Sequence, residues 1–467
     1  MSNSLRDAFS GRLLVDADDT APFLTDWRHK WTGCAHAVAQ PDSTDDVARV
    51  VRWCIANGMN IVPQGGNTGM SGAATPNTAS NNVVISLARM NRIRAVDPIN
   101  NTMTVEAGCI LQTLQETAAN HDRLFPLALS AQGSCMIGGN LATNAGGVGV
   151  LRYGNARDLC LGVEVVTADG EIWNGLRGLR KDNSGYDLRN LFIGSEGTLG
   201  IITAATLKLF PRPKATLCAW VSATTVDDAL TLLNAAQNKI GARLTAFELM
   251  SRSCVDLLAE QMPTLRWPLS ERSNWSVLIE ISDPDGEAEA KLALESLLEN
   301  AFETGTIQNA AIAMNIVQTR EFWALRENMG EAQAKAGKNI KHDVSIPISK
   351  FPQFIADTNA AITAQFPQAR MIVFGHLGDG NLHYNVSPRT TARGDDFLAI
   401  EPAINRITHD AVIACDGSIS AEHGLGVLRA AEARRYKSDV EMKLQRAIKN
   451  ALDPRGVMNP GKGLVGE

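Results

Sequence analysis

The sequence predicts an α+β fold spread over two or three domains, and three observations carry that prediction. At 467 residues the chain exceeds what one ordinary hydrophobic core accommodates. Its first part mixes short strands and short helices without the strict strand–helix–strand alternation of a parallel α/β sheet. After FPRPK (Phe210 to Lys214) glycine thins and longer helical patterns begin, which marks a boundary. The expected division is 1–213, 214–415 and 416–467.

The elements follow in order. STDDVARVVRWCIANG predicts a helix with Ser43 as N-cap, Val47, Val50, Val51, Cys54 and Ile55 on one face, and Gly58 at its end. NIVP, VVISL, RIRAV and MTVEA read as strands, and CILQTLQETAANH contains a helix. Beyond the boundary, VDDALTLLNAAQNKI and EAEAKLALESLLENAF are helical. TREFWALRENMGEAQ reads as one helix with Phe322, Arg326 and Gly330 on a face. NIKHDVSIPI alternates as a strand with Lys341, Asp343 and Ser345 on its polar side. Alone, Arg326 and Lys341 are better read as exposed or salt-bridged than as ligands of anything.

Composition narrows the function classes. Apolar content of 45% and charged content of 20% are those of a globular protein. A net charge of −6 gives no reason to expect a nucleic-acid partner. The eight cysteines form no C-x-x-C pair, which argues against a disulfide framework or a zinc ribbon and fits a reducing compartment. MSNSLRDAFSGRLL lacks an apolar core of signal-peptide length, and no stretch approaches the length of a membrane span, so a cytoplasmic address is expected.

Three glycine-rich segments carry the first chemical signal: PQGGNTGMSGA, IGGNLATNAGG and GSEGTLGI. None matches G-x-G-x-x-G or a Walker loop, which disfavours a nicotinamide Rossmann site and a P-loop. Runs of small residues let backbone N–H groups converge on an anion. One such run is as readily a mobile turn; three in one domain suggest a large cofactor threaded between them.

The order VPQGGNTG, GSCMIGGNLATNAGG, LRYGNARD, LRKDNSGYDLRNLFIGSEGTLGIIT resembles the FAD-binding domain of vanillyl-alcohol oxidase-type flavoproteins. Within that type it is most similar to the D-2-hydroxyglutarate and D-lactate dehydrogenases and the glycolate oxidase flavin subunit. The resemblance implies a two-part FAD-binding domain, then a substrate (cap) domain with an antiparallel sheet, and a C-terminal segment that completes the active site. It assigns Pro63, Gly65, Gly66, Asn67, Thr68 and Gly69 to the pyrophosphate region. Gly133, Ser134, Gly138, Gly139, Asn140, Thr143, Asn144 and Gly146, then Glu196, Gly200 and Ile201, fall to the flavin and adenosine ends, with Asn459 from the closing NPGKG. Relatives with covalent flavin carry histidine in the first loop; Asn67 there implies non-covalent FAD. Ala73 replaces a glycine common in relatives, a mild departure.

GHLGDGNLH (Gly375 to His383) is the second signal. Strand-like runs flank Asp379-Gly380, a favoured two-residue hairpin pair. A tight turn there sets His376 directly opposite His383, with Asn385 further along the same face. Two ordinary polar histidines would explain the stretch equally, but three of the chain's eight histidines crowd into it and AEHGLG. By the resemblance, His376, His383 and Glu422 ligate a divalent metal and His423 is the catalytic base. Zn²⁺ suits two imidazoles and a carboxylate, as do Mn²⁺, Co²⁺ and Fe²⁺. Arg326, Lys341 and Asn385 then bind substrate.

The expected activity is oxidation of a D-2-hydroxy acid, D-2-hydroxyglutarate first, with hydride passing from C2 to flavin N5. A D-lactate or glycolate dehydrogenase shares every feature, and an ether-lipid synthase or a non-catalytic flavin subunit are the remaining alternatives. Gly330 departs from the Ser or Thr of relatives that act on 2-hydroxyglutarate, which leaves the substrate side chain open. The expected acceptor is soluble, such as an electron-transfer flavoprotein, and a homodimer is admitted.

Overall fold

In the computed structural model, which describes residues 4–389 and 397–464, the chain divides into two units. Unit 1 draws on 1–147, 154–212 and 422–467, and unit 2 on 148–153 and 213–421. The switch near FPRPK falls between Arg212 and Pro213. Two short crossings explain the interleaving. Residues 148–153 belong to unit 2 because Arg152 Nη1 donates to the Ser282 carbonyl (2.8 Å) and Leu151 packs on Gly378. The C-terminal stretch belongs to unit 1 because it runs alongside a strand there: Ile61 N–H donates to Val457 O (2.9 Å) and Asn459 N–H to Ile61 O (2.7 Å).

Unit 1 holds a four-stranded sheet of β1 (Arg12–Leu14), β2 (Ala37–Gln40), β3 (Asn60–Gln64) and β4 (Asn82–Ser86), in the order β1-β2-β4-β3. The pairs β2–β4 and β3–β4 are parallel, so a crossover is required. The helix Thr44–Ala56 supplies it, with the Ser43 side chain accepting from Asp46 N–H as expected of the N-cap. Val47, Val50, Val51 and Cys54 have no exposed surface, each burial worth ~1.5–3 kcal/mol. The other large sheet uses β5 (Ile93–Asp97), β6 (Thr102–Glu106), β8 (Cys160–Thr167), β9 (Ile172–Asn174) and β10 (Gly200–Lys208), in the order β5-β6-β10-β8-β9. Two-residue β7 (Arg123–Leu124) and β11 (Phe210–Pro211) form a ribbon.

Unit 2 is built on a seven-stranded antiparallel sheet. Its strands are β12 (Ala215–Ala223), β13 (Leu244–Ser251), β14 (Trp275–Asp283), β15 (Asn309–Ile312), β16 (Asp343–Ser345), β17 (Ala369–His376) and β18 (Asn381–Pro388), in the order β15-β12-β14-β13-β17-β18-β16. The expected α+β class and antiparallel cap sheet are both present. The helices Val226–Ile240 and Glu287–Glu303 fall where periodicity puts them.

Three local expectations are corrected. The β17–β18 hairpin pairs Phe374 with His383 and Ile372 with Asn385, so His376 is not directly opposite His383. The cause is the connection: β17 ends at His376 and β18 starts at Asn381, leaving Leu377 to Gly380 as the turn instead of Asp379-Gly380 alone. The register shifts by two residues, which preserves faces. TREFWALRENMGEAQ is broken at Asn328 into Ile316–Glu327 and Met329–Ala336. NIKHDVSIPI is a strand only over Asp343–Ser345. Among the described residues the eight cysteines are all free, and no helix is long and apolar enough to cross a membrane.

Within β14 one carboxylate interrupts an apolar run. Glu280 accepts from Trp323 Nε1–H (2.8 Å), and burial pushes its pKa up to about 7 from an ordinary 4.5. A folded pKa above the unfolded one gives stability that is present below about 4.5 and lost as pH rises through about 7. Glu280→Gln keeps an acceptor for Trp323 and removes that loss. Thermal melts should show the variant gaining on the wild-type protein as pH rises from 5 to 8 on an approximate scale; a constant gap would contradict this.

Candidate active site

In unit 1 a cleft opens between the three glycine-rich segments. Of the residues expected to hold cofactor, Pro63, Gly65, Gly138, Gly139, Thr143, Glu196, Gly200 and Ile201 line it. Gly66, Asn67, Thr68, Gly69, Gly133, Ser134, Asn140, Asn144, Gly146 and Asn459 are not on its wall. Several of these have packing or bonding partners: Gly66 lies where a Cβ would sit 2.3 Å from Ser134 O, and Asn67 Nδ2 donates to Thr25 O (2.8 Å). Sequence reasoning missed Gln64, Leu87, Phe192 and Ile202 on the wall. The apolar three of these are buried core residues and carry no distinguishing pattern.

The second segment is not a loop throughout. Ile137–Ala142 is a one-and-a-half-turn helix, and two adjacent glycines in it serve different ends. A Cβ on Gly138 would meet Ala107 Cβ at 2.6 Å, so this glycine lets the helix seat on the sheet. A Cβ on Gly139 would meet nothing within 4 Å, so that glycine keeps the cleft open. Asn140 Oδ1 and Asn459 Oδ1 are buried acceptors without a hydrogen-bond partner among the described residues. Such atoms cost ~1–3 kcal/mol unless a bound group or water satisfies them. The small residues of the cleft wall fit a flat cofactor.

The same three segments grip the chain around the expected base. Ser71 Oγ donates to the carbonyl oxygens of His423 (3.0 Å) and Gly424 (3.1 Å). Gly147 N–H donates to Glu422 Oε1 (2.7 Å), and Gly426 N–H donates to Glu196 Oε1 (2.9 Å). Asn459 Nδ2 donates to the carbonyl oxygens of Ala73 (2.9 Å) and Glu196 (2.7 Å). Burial pushes the Glu196 carboxyl up to about 7, opposed by the Gly426 N–H and the charge of Lys462. Burial lowers Lys462 to about 8, opposed by Glu196.

Unit 2 presents the other expected residues on one face of its sheet. His376 and His383 are diagonal neighbours, their rings 5.8 Å apart and nearly perpendicular. Phe374, directly across from His383, has the Arg326 guanidinium over its ring at 4.9 Å. Between these groups stands Glu248, which sequence reading missed. It pairs in register with His376, is 1% exposed, and accepts from Arg326 Nε (2.7 Å) with its other oxygen 2.6 Å from His376 Nδ1. Burial raises its pKa, but the charges and hydrogen bonds of His376 and Arg326 outweigh that and hold it below the ordinary carboxylate value. The available signal was a lone acid inside the apolar run LTAFELMS.

Asn385 is 4% exposed and oriented from behind: His342 N–H donates to its Oδ1 (3.1 Å), and its Nδ2 donates to Gln333 Oε1 (3.0 Å). Lys341 is partly buried one residue before His342. Ala421, the last residue of unit 2, donates its N–H to Asp343 O (3.2 Å), and Asp343 pairs with His383. Glu422 is the next residue in the chain.

Fold and cleft together define a two-domain flavoprotein. A model of FAD binding domains matches residues 35–175, and one described as FAD linked oxidases, C-terminal domain, matches 212–463. The probable mitochondrial D-2-hydroxyglutarate dehydrogenase of Oryza sativa subsp. japonica is 39% identical over 454 residues, 97% of this chain and 79% of that one. The D-2-hydroxyglutarate dehydrogenase of Xanthomonas citri pv. viticola is 37% identical over 452 residues, 97% of this chain and 94% of that one. Among solved structures, p-cresol methylhydroxylase with substrate bound superposes with a TM-score of 0.75 at 17% identity, covering 97% of this chain and 94% of that one; this shows a shared fold. The chain belongs to the FAD-linked oxidases, in the group of the D-2-hydroxyglutarate dehydrogenases. FAD is its cofactor.

Because Gly139 faces open cleft, Gly139→Val should fold while its affinity for FAD falls at least about tenfold. Gly139→Ala should lose much less. Flavin absorbance per mole of purified protein, with the circular-dichroism spectrum unchanged, measures both; equal flavin content in all three proteins would contradict the assignment.

Proposed function

We propose that this enzyme oxidises D-2-hydroxyglutarate to 2-oxoglutarate, using non-covalent FAD and a divalent metal. The observation that carries the reading is the face of the unit 2 sheet where Arg326 lies over Phe374 beside the two imidazoles of His376 and His383. That face offers a fixed cation for an acid and two nitrogen ligands for an ion. Named function in relatives matched over nearly the whole chain supports the same substrate class.

In this reading Arg326 and Lys341 hold the substrate carboxylates by charge-assisted hydrogen bonds, and Asn385 donates its remaining amide hydrogen. His423 accepts the C2 hydroxyl proton as general base. His376, His383 and Glu422 are the set that would hold the ion, most simply Zn²⁺, which would lend Lewis acidity to the hydroxyl. FAD, when bound, supplies the two-electron acceptor chemistry. Asn67 in place of a histidine supports non-covalent attachment. The electrons then leave to a soluble acceptor such as an electron-transfer flavoprotein. Our reading keeps a cytoplasmic address, although the rice relative's name places that protein in mitochondria.

One observation favours a second substrate. Gly330 carries no hydroxyl where relatives acting on 2-hydroxyglutarate have Ser or Thr, although a Cβ there would meet nothing within 4 Å. D-lactate or glycolate is the alternative this opens.

Anaerobic mixing should bleach the flavin fastest with D-2-hydroxyglutarate, more slowly with D-malate and D-lactate. A preference for lactate would transfer the assignment to the alternative. His423→Ala should slow reduction by about 10²-fold or more while leaving FAD bound. Chelation should abolish reduction and added Zn²⁺ or Mn²⁺ restore it; a chelator-insensitive rate would remove the metal from the reading.

A further inference from the structure

We propose that Glu248 is a positioning residue that sets the tautomer of His376 and joins it to Arg326, so that one buried carboxylate aligns the metal side and the acid-binding side of the site. The inference rests on the reading of His376 as a metal ligand. It begins from geometry inside unit 2. Glu248 and His376 are register partners on adjacent strands β13 and β17, so their side chains leave the sheet on the same face. Arg326 arrives from the helix Ile316–Glu327 and meets the second carboxylate oxygen. All three are buried, with exposures of 1%, 6% and 9%.

Donor and acceptor identities then follow. A guanidinium Nε always carries hydrogen, so Glu248 Oε2 accepts from it. An ionised carboxylate has only acceptor oxygens, so the 2.6 Å contact at Oε1 requires hydrogen on His376 Nδ1. In the neutral ring the proton on Nδ1 leaves the lone pair on Nε2, the nitrogen a metal would need. A carboxylate behind a ligating histidine also raises its basicity, and loss of such a partner typically costs about 10–100-fold in metal affinity.

Glu248→Gln separates these roles. Its single oxygen must face Arg326, whose Nε has no other role than donor. Its NH₂ must then face His376 Nδ1, which becomes an acceptor, and the ring proton moves to Nε2. Shape and the Arg326 bond persist while the ligand nitrogen is blocked. Glu248→Ala instead leaves Arg326 and His376 both without their partner.

The test uses FAD-loaded protein with ¹⁵N-labelled histidine, stripped of metal and examined at alkaline pH, where imidazoles are neutral. Wild-type His376 should show the Nδ1–H tautomer and Glu248→Gln the Nε2–H tautomer. Co²⁺ titration should show Glu248→Gln binding about 10–100-fold more weakly with little change in KM for the hydroxy acid at saturating Co²⁺. Glu248→Ala should weaken the metal and raise KM together. The same tautomer in both proteins, or Glu248→Gln with wild-type Co²⁺ affinity, would overturn the proposal. Wild-type protein that takes up no Co²⁺ would refute the metal reading instead, while the tautomer comparison still upholds or overturns the role of Glu248.

Discussion

Much of unit 1 depends on the bonds by which its glycine-rich segments hold the returning C-terminal chain. Glu196 sits on the wall of the cofactor cleft with a left-handed backbone (φ 52°), and its carboxylate accepts from Gly426 N–H. A non-glycine residue in that region costs free energy, so the surroundings must fix it there. They do so on two sides: Glu196 N–H donates to Ala142 O (2.8 Å), and its carbonyl accepts from Asn459 Nδ2. A Cβ on Gly424 would stand 2.4 Å from Glu196 Oε1, and one on Gly426 2.1 Å from Ser71 O. Backbone crowding leaves no room for a side chain at Gly426, and at Gly424 the Glu196 carboxylate would have to move; both glycines also have positive φ.

This arrangement gives the sequence around His423 two independent reasons to be what it is. Ser71, Gly147 and Glu196, one from each glycine-rich segment, each bond the loop that carries it. Residues that shape the cofactor cleft therefore also set where His423 stands. Coupling of this kind passes through fixed hydrogen bonds, so displacement of one segment has to be felt at the others.

How much of this was legible differs by type of constraint. Backbone constraints read well: the glycine segments, the Ser43 cap and the helix Val226–Ile240 each follow from local residue chemistry. Alternation along β17 and β18 correctly put His376, His383 and Asn385 on one face, because parity survives a shift of two. The register itself did not read, since it depends on a four-residue turn where Asp379-Gly380 alone looked sufficient. The break at Asn328 was hidden because Asn-Met-Gly lies inside an otherwise periodic run. Glu248, His342 and Gln333 stayed out of view for one shared reason: each acts on a residue distant in sequence, and tertiary packing, not spacing, brings them together.

Those three residues also explain why the unit 2 face can be specific without being flexible. The direction of the amide relay is set at its start, because a backbone N–H can only donate: His342 N–H fixes Asn385 Oδ1 as acceptor, and Asn385 Nδ2 must then face Gln333 Oε1. The His342 ring is itself pinned between Tyr384 O (2.7 Å) and Asn405 Oδ1 (2.8 Å), so the relay has no freedom to invert. Glu248 does the same for charge, since its two oxygens admit only donors. An amide that cannot flip offers a donor rather than a choice of donor or acceptor. Leaving a buried partner of this kind unmatched costs about 1–3 kcal/mol for each group, which holds the relay in one direction.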